Sequence, residues 1–243
     1  MVIKQRTIVW FIAGLLAFFC LPGGALEVTP MVQTLKADRD ARGGLTVANP
    51  TNREFAFEVD VWELAFDETG VKASPSEALS VFPPALLLQP GQSHSVQIIY
   101  KKQPLSSDKS FYVRLNQQPV ASVDAEPGHV RMLLDINTVV HLKHSQFNAD
   151  ISVNQSHLRD DQGYIYVQNR GNGHAYLNNL RWYLENEQGQ RVRIPPRVLY
   201  QSEVDDFVAA NSAKHLEFSP ALRDALMQLI IKGQGPWHVR IEP

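Results

Sequence analysis

Cysteine is almost missing from this sequence. The one present, Cys20, stands within the first 25 of 243 residues, so the rest of the chain has no disulfide framework and must be held together by packing. An excess of charge is missing too. Against 23 Lys and Arg stand 25 Asp and Glu, a formal charge of −2, which removes the field of a protein that lives on phosphates; no nucleic-acid partner is expected. Beyond the N-terminus there is no long hydrophobic run, hence no segment expected to insert the processed chain in a membrane. Gly-x-Ser-x-Gly, His-Glu-x-x-His and Gly-x-x-x-x-Gly-Lys are all lacking, so no motif supports an enzyme or a cofactor.

Metal ligation is the next class to fall. His141 and His144 are three apart, a spacing that points the two side chains to opposite faces of a strand, and no Cys or acidic neighbour completes a ligand set. The paired carboxylates Asp67-Glu68, Asp160-Asp161 and Asp205-Asp206 read as solvated turns. No metal is expected.

What is present begins with residues 1–25, which read as a cleaved export signal. Lys4 and Arg6 form a basic start, residues 7–21 are nearly all apolar, and Gly23-Gly24-Ala25 supplies small residues for cleavage. The run is too short to span a bilayer, and the bulky Phe19 before Cys20 disfavours lipoprotein processing. Removal of this segment leaves 21 basic against 25 acidic residues, a charge of −4.

From Leu26 onward the dominant signal has period 2. Phe55, Phe57, Val59 and Val61 alternate with Ala56, Glu58 and Asp60, the mark of a strand with one buried face. Val96, Ile98 and Tyr100 repeat it, as do Phe111, Val113 and Leu115. Turn signals separate the runs: Arg42-Gly43-Gly44, Asn49-Pro50, Pro83-Pro84, Pro90-Gly91 and Pro127-Gly128. Further strands are expected at 149–153, 164–169, 175–184, 190–194, 214–218 and 237–241, with one short helix or turn from Ser219 to Gly233. The chain therefore reads as all-β: a first sandwich over 26–144 and a second over 145–243.

Residues 130–142 are partly apolar on both faces. Met132, Leu134, Ile136, Thr138, Val140 and Leu142 make one row; Leu133, Asp135, Asn137, Val139 and His141 make the other. Either this is a central strand covered on both sides by its own protein, or it is an edge strand that offers one row to another chain.

A family resemblance favours the second reading. Thr46-Val-Ala-Asn-Pro50, Phe57-Glu-Val-Asp-Val-Trp-Glu63, Phe66-Asp-Glu-Thr-Gly70, Val81-Phe-Pro-Pro84, Leu88-Gln-Pro-Gly-Gln92 and Phe111-Tyr-Val-Arg-Leu115 follow one another in the order found in PapD-like periplasmic pilus chaperones. Asn169-Arg-Gly-Asn-Gly-His-Ala175 is similar to a hairpin of that family's second domain. The resemblance implies two immunoglobulin-like sandwiches, no catalytic site, and a periplasmic location. It also implies a mechanism: the last strand of the first domain is lent to a pilin subunit that lacks one, and the complex is delivered to an outer-membrane usher.

On that resemblance the lent row is Met132, Leu134, Ile136, Thr138 and Val140, since a slip of one residue would put Asp135 and Asn137 into an apolar groove. The family holds the subunit's terminal carboxylate with an Arg early in the first strand and a Lys late in the lent strand. At those places stand Pro30 or Met31, and His141. The candidates for the anchor are therefore His141, Lys143, Lys101, Lys102 and Arg114. An exported binding module or adhesin, using aromatics such as Trp62, Trp182, Tyr183 and Trp237, is the alternative function.

Overall fold

The protein is described by a computed structural model covering residues 25–67, 70–102, 104–120, 132–159, 162–196, 199, 206–217, 224 and 237–242. The expected export signal lies outside them, Ala25 excepted, as does the expected helix apart from Asp224.

Ten strands build the first unit: β1 (Glu27–Thr29), β2 (Val32–Lys36), β3 (Arg42–Ala48), β4 (Phe55–Asp67), β5 (Gly70–Pro75), β6 (Leu79–Phe82), β7 (Ala85–Leu88), β8 (Ser93–Tyr100), β9 (Lys109–Gln118) and β10 (Asp135–Lys143). They form a sheet of order β1-β3-β8-β6 facing a sheet of order β2-β10-β9-β4-β5, with β7 also paired to β4. The alternation read from the sequence does the packing: Leu45 and Val47, Phe57 and Val59, Val96 and Ile98, and Phe111, Val113 and Leu115 all point between the sheets and are buried. Full burial of such a side chain stabilises by about 2 kcal/mol. At the start of the domain, β1 pairs antiparallel with β3, after which the chain crosses to the other sheet and β2 runs parallel to β10. Gly91, at φ 74°, turns the chain between β7 and β8.

The second unit contains β11 (Ile151–Arg159), β12 (Gln162–Asn169), β13 (Ala175–Tyr176), β14 (Arg181–Asn186), β15 (Arg191–Ile194), β16 (Phe207–Val208), β17 (Ser212–Glu217) and β18 (Trp237–Glu242). Its sheets run β11-β12-β17 and β15-β14-β18, with the short pair β13-β16 beside them. Ile165, Val167, Trp182, Leu184, Ile194 and Trp237 are at its centre. The expected strand 175–184 is interrupted. Leu177–Asn179 forms a 3-10 turn because Asp206 accepts from the amides of Leu177 and Asn178, while the Leu177 carbonyl takes the Trp182 indole N–H at 2.9 Å.

Each sandwich is closed by one buried asparagine. The Asn49 amide donates to the carbonyls of Arg53, Leu88 and Gln89; that of Asn169 donates to those of Gly173, Val208 and Ala209. Just after Asn169, Gly171 is pressed so closely on the backbone of Asn148 and Asp150 that a Cβ there would collide with it.

A third apolar cluster joins the two units. Leu64 and Val139 pack on Phe207 and Ala209, with Val32, Phe66, Tyr112 and Tyr176 around them. Phe66 meets Phe207 edge to face at 5.1 Å, and the Thr34 and Tyr176 hydroxyls are 3.0 Å apart.

Candidate functional site

Strand β10 has a different neighbour on each part of its length. Asp135 to Leu142 pair with β9, but β2 joins the other edge only from Val139 to Lys143. Among the described residues, therefore, 135–138 have a ladder on one side only. Just before them, Met132, Leu133 and Leu134 are exposed by 81%, 49% and 42%. The segment is not loose at its end, because the amide of Gln117 donates to the Leu134 carbonyl and the Leu134 amide to the Gln117 side chain, each at 3.0 Å. An exposed apolar run thus leads into an open strand edge.

The row expected to face a partner is divided by the structure. Met132 and Leu134 are exposed and Ile136 is half-buried against the first domain's own core. Thr138 and Val140 are placed otherwise than expected: both are fully buried inside that core, Val140 among its apolar side chains and Thr138 with its hydroxyl donating to the Val113 carbonyl at 3.1 Å. Alternation carries the same row from the open end into the sandwich, so its first half is available and its second half is not. Val130 lies outside the described residues.

The five anchor candidates are not brought together. Arg114 stands opposite Asn137 at the open end, stacked over the Trp62 ring at 4.8 Å and 3.8 Å from the Asp135 carboxylate. Lys143 is six positions farther along β10, about 20 Å away, next to Lys36. Lys101 and Lys102 are exposed at the end of β8; Lys102 lines a hollow with Asp38, Arg39 and His144. The Asp38 carboxyl there is held below its ordinary value, first by a hydrogen bond from Ser145.

His141 is withdrawn altogether. It is fully buried between the domains, Nδ1 2.9 Å from the Ser110 hydroxyl, its ring stacked on His174 at 4.7 Å and edge-on to Phe207 at 4.3 Å. Burial brings its pKa down to about 3, with His174 acting in the same sense and Asp108 against it. A neutral, enclosed imidazole is no anchor for a carboxylate.

The residues that sequence reasoning missed are those around His141. The Asp108 carboxylate, before β9, accepts from the amides of His144 and His174 and from His174 Nδ1, at 2.8, 3.1 and 2.9 Å. Burial works against its ionisation, but these bonds outweigh it and hold the carboxyl below the usual value. The one signal in the sequence was the Asn169 to Ala175 motif, which contains His174. Of the aromatics, Trp182 and Trp237 belong to the second core, Trp62 lies under Arg114, and Tyr183 lies under Arg191. Among the described residues no three His, Cys, Asp or Glu side chains are grouped to hold a metal ion, and no helix is long and apolar enough to cross a membrane.

Two immunoglobulin-like β-sandwiches, the first ending in a half-open strand, define a two-domain β protein with an edge to offer. Residues 27–143 match the family of pili and flagellar-assembly chaperones, PapD N-terminal domain, so that the first domain is similar to that of the PapD-like chaperones. Its fold is similar to that of the class 5 fimbriae chaperone CfaA, with a TM-score of 0.55 at 11% identity, over 78% of this chain and 84% of that one. A chain of the CsuC–CsuE chaperone–tip adhesion subunit pre-assembly complex, from archaic chaperone-usher Csu pili of Acinetobacter baumannii, gives 0.55 at 11% identity, over 81% and 88%. A chain of the Salmonella enterica SafA pilin–SafB chaperone complex gives 0.51 at 14%, over 83% and 87%. No curated protein sequence matches the chain.

Proposed function

We propose that this protein is a periplasmic chaperone that stabilises pilin subunits by donor-strand complementation and delivers them to an outer-membrane usher, with a first domain ending at residue 144. One observation carries the reading: the exposed apolar residues 132–134 run straight into a strand whose edge is unpaired until Val139. Met132, Leu134 and the exposed part of Ile136 are the groups lent to the subunit, and the backbone of 135–138 supplies the ladder that the subunit lacks. Thr138 and Val140 keep the lent strand fixed in its own domain. The account needs no catalytic group, cofactor or metal. The similarity to chaperones solved with a pilin or a tip subunit supports the partner class.

The test is amide hydrogen exchange on the processed chain, free and co-purified from periplasm with the subunits encoded beside its gene. Slowed exchange at 132–138 with 139–143 unchanged is the expected pattern. Protection confined to the second domain would overturn the reading.

A further inference from the structure

The buried polar group at the domain interface is unusual because it is incompletely satisfied. His141 and His174 are nearly parallel, at 16° and 4.7 Å between ring centres. Each uses Nδ1, on Ser110 and Asp108 respectively, and the Nε2 of each is buried with no hydrogen-bond partner. Such groups are kept at a cost in stability and call for a reason. A metal does not supply one, since among the described residues no three His, Cys, Asp or Glu side chains are grouped to hold it, and Phe207 and Tyr176 stand edge-on to the rings.

Every element packed here restricts the charge it tolerates. From before β9 comes the Asp108 carboxylate, already engaged by three donors. From the segment ahead of β13 comes His174, and from β13 Tyr176, whose hydroxyl is bound to Thr34 of β2. From β16 comes Phe207, with Lys214 of β17 over its other surroundings at 5.8 Å, and Asp206 lies beyond Tyr176. A proton added to His141 would therefore charge a ring whose Nε2 has no acceptor, beside another imidazole and out of reach of water. In the separated domains the same ring would be hydrated and would titrate as an ordinary histidine.

We propose that His141, His174 and Asp108 form a pH-sensitive latch that holds the second domain against β10 near neutral pH and releases it as the medium becomes acidic. The sign follows from linkage. His141 takes up its proton near pH 6.5 when exposed and only near 3 when docked, so docking is undiminished above 6.5 and weakens as pH falls below it. At pH 5.5 the docking constant falls roughly 10-fold. The latch sits on the strand that carries the open edge, so release frees the Val139 and His141 face of β10 from Phe207 and Ala209.

The proposal stands apart from the chaperone reading and is tested on the isolated processed chain. Donor and acceptor dyes are placed at Gln97→Cys on β8 and Gln188→Cys in the turn after β14, both exposed positions in a part of the chain that has no other cysteine. Single-molecule energy transfer should show one interdomain distance at pH 7.5 and a growing second population at pH 5.5, with unchanged β circular dichroism. In His141→Leu, and in His141→Leu with Ser110→Ala should the lone Ser110 hydroxyl destabilise the single variant, the second population should be absent at pH 5.5. An unchanged distance in the parent chain, the same pH response in both leucine variants, or loss of the β signal together with the distance would overturn the latch.

Discussion

Asn49 and Asn169 hold equivalent places in the two domains: each donates its side-chain amide to the carbonyl four residues on and to those 39 and 40 residues on. Both are 1% exposed, and their bonds to the carbonyls of Leu88, Gly173, Val208 and Ala209 are buried with them. Replacement of either by alanine is expected to cost about 3 kcal/mol, read as a lower denaturant midpoint. Because each domain has its own core, Asn49→Ala should lower the transition of the first and Asn169→Ala that of the second. Calorimetry that resolves the two transitions checks this; an equal loss in both from either change would contradict it.

Val140 divides stability from binding. It is wholly buried in the first core, so Val140→Ala should cost about 2 kcal/mol, while the folded variant recovers as much subunit from a periplasmic extract as the parent does. Thr138→Val should behave alike at about 1 kcal/mol, the worth of its bond to the Val113 carbonyl. A fall in recovery without a fall in stability would return these side chains to the lent row.

Acid should weaken the fold in two separate ranges. His141 is held neutral by burial, so its contribution is complete above pH 6.5 and is lost as pH falls from there towards about 3, by up to ~1.4 kcal/mol per pH unit. Asp108, held ionised, adds its own loss only as pH passes below the ordinary carboxylate range. Urea titrations at pH 7.5, 6.5 and 5.5 should show stability level across the first interval and falling across the second. In His141→Leu that fall should be smaller by about 1 kcal/mol; an identical pH profile in parent and variant would contradict the assignment.

Period 2 made the sandwich strands legible, since Phe57, Val96 and Phe111 are apolar for the same reason that they are buried: alternate positions face the core. It also showed that both rows of residues 130–142 are partly apolar. It could not show where a row passes from solvent into the core. Leu134 and Thr138 lie on one face of one strand, and what separates them is the point near Ile136 at which that face passes into the first domain's own core. The interruption at Leu177–Asn179 was hidden similarly, for it depends on Asp206, far along the chain. His141 presents the sharpest difference. The family resemblance led to the expectation of a basic anchor there, whereas its burial is decided by Phe207 and His174, contacts that no local pattern encodes.

The most direct test of the central claim is Leu134→Asp. The side chain is 42% exposed and lies ahead of the core, so the free variant should keep the circular dichroism and thermal midpoint of the parent within about 0.5 kcal/mol. In a subunit's groove the same carboxylate would be buried and unpaired, at a cost of several kcal/mol. Ile136→Asp is a poorer probe, because Ile136 also packs on its own core and would confuse folding with binding. The measurement is the amount of pilin subunit recovered per tagged chaperone from periplasm co-expressing both. The account predicts at least about a 10-fold loss for Leu134→Asp and the same for Met132→Asp. Normal recovery by a folded Leu134→Asp protein would contradict strand donation through this segment.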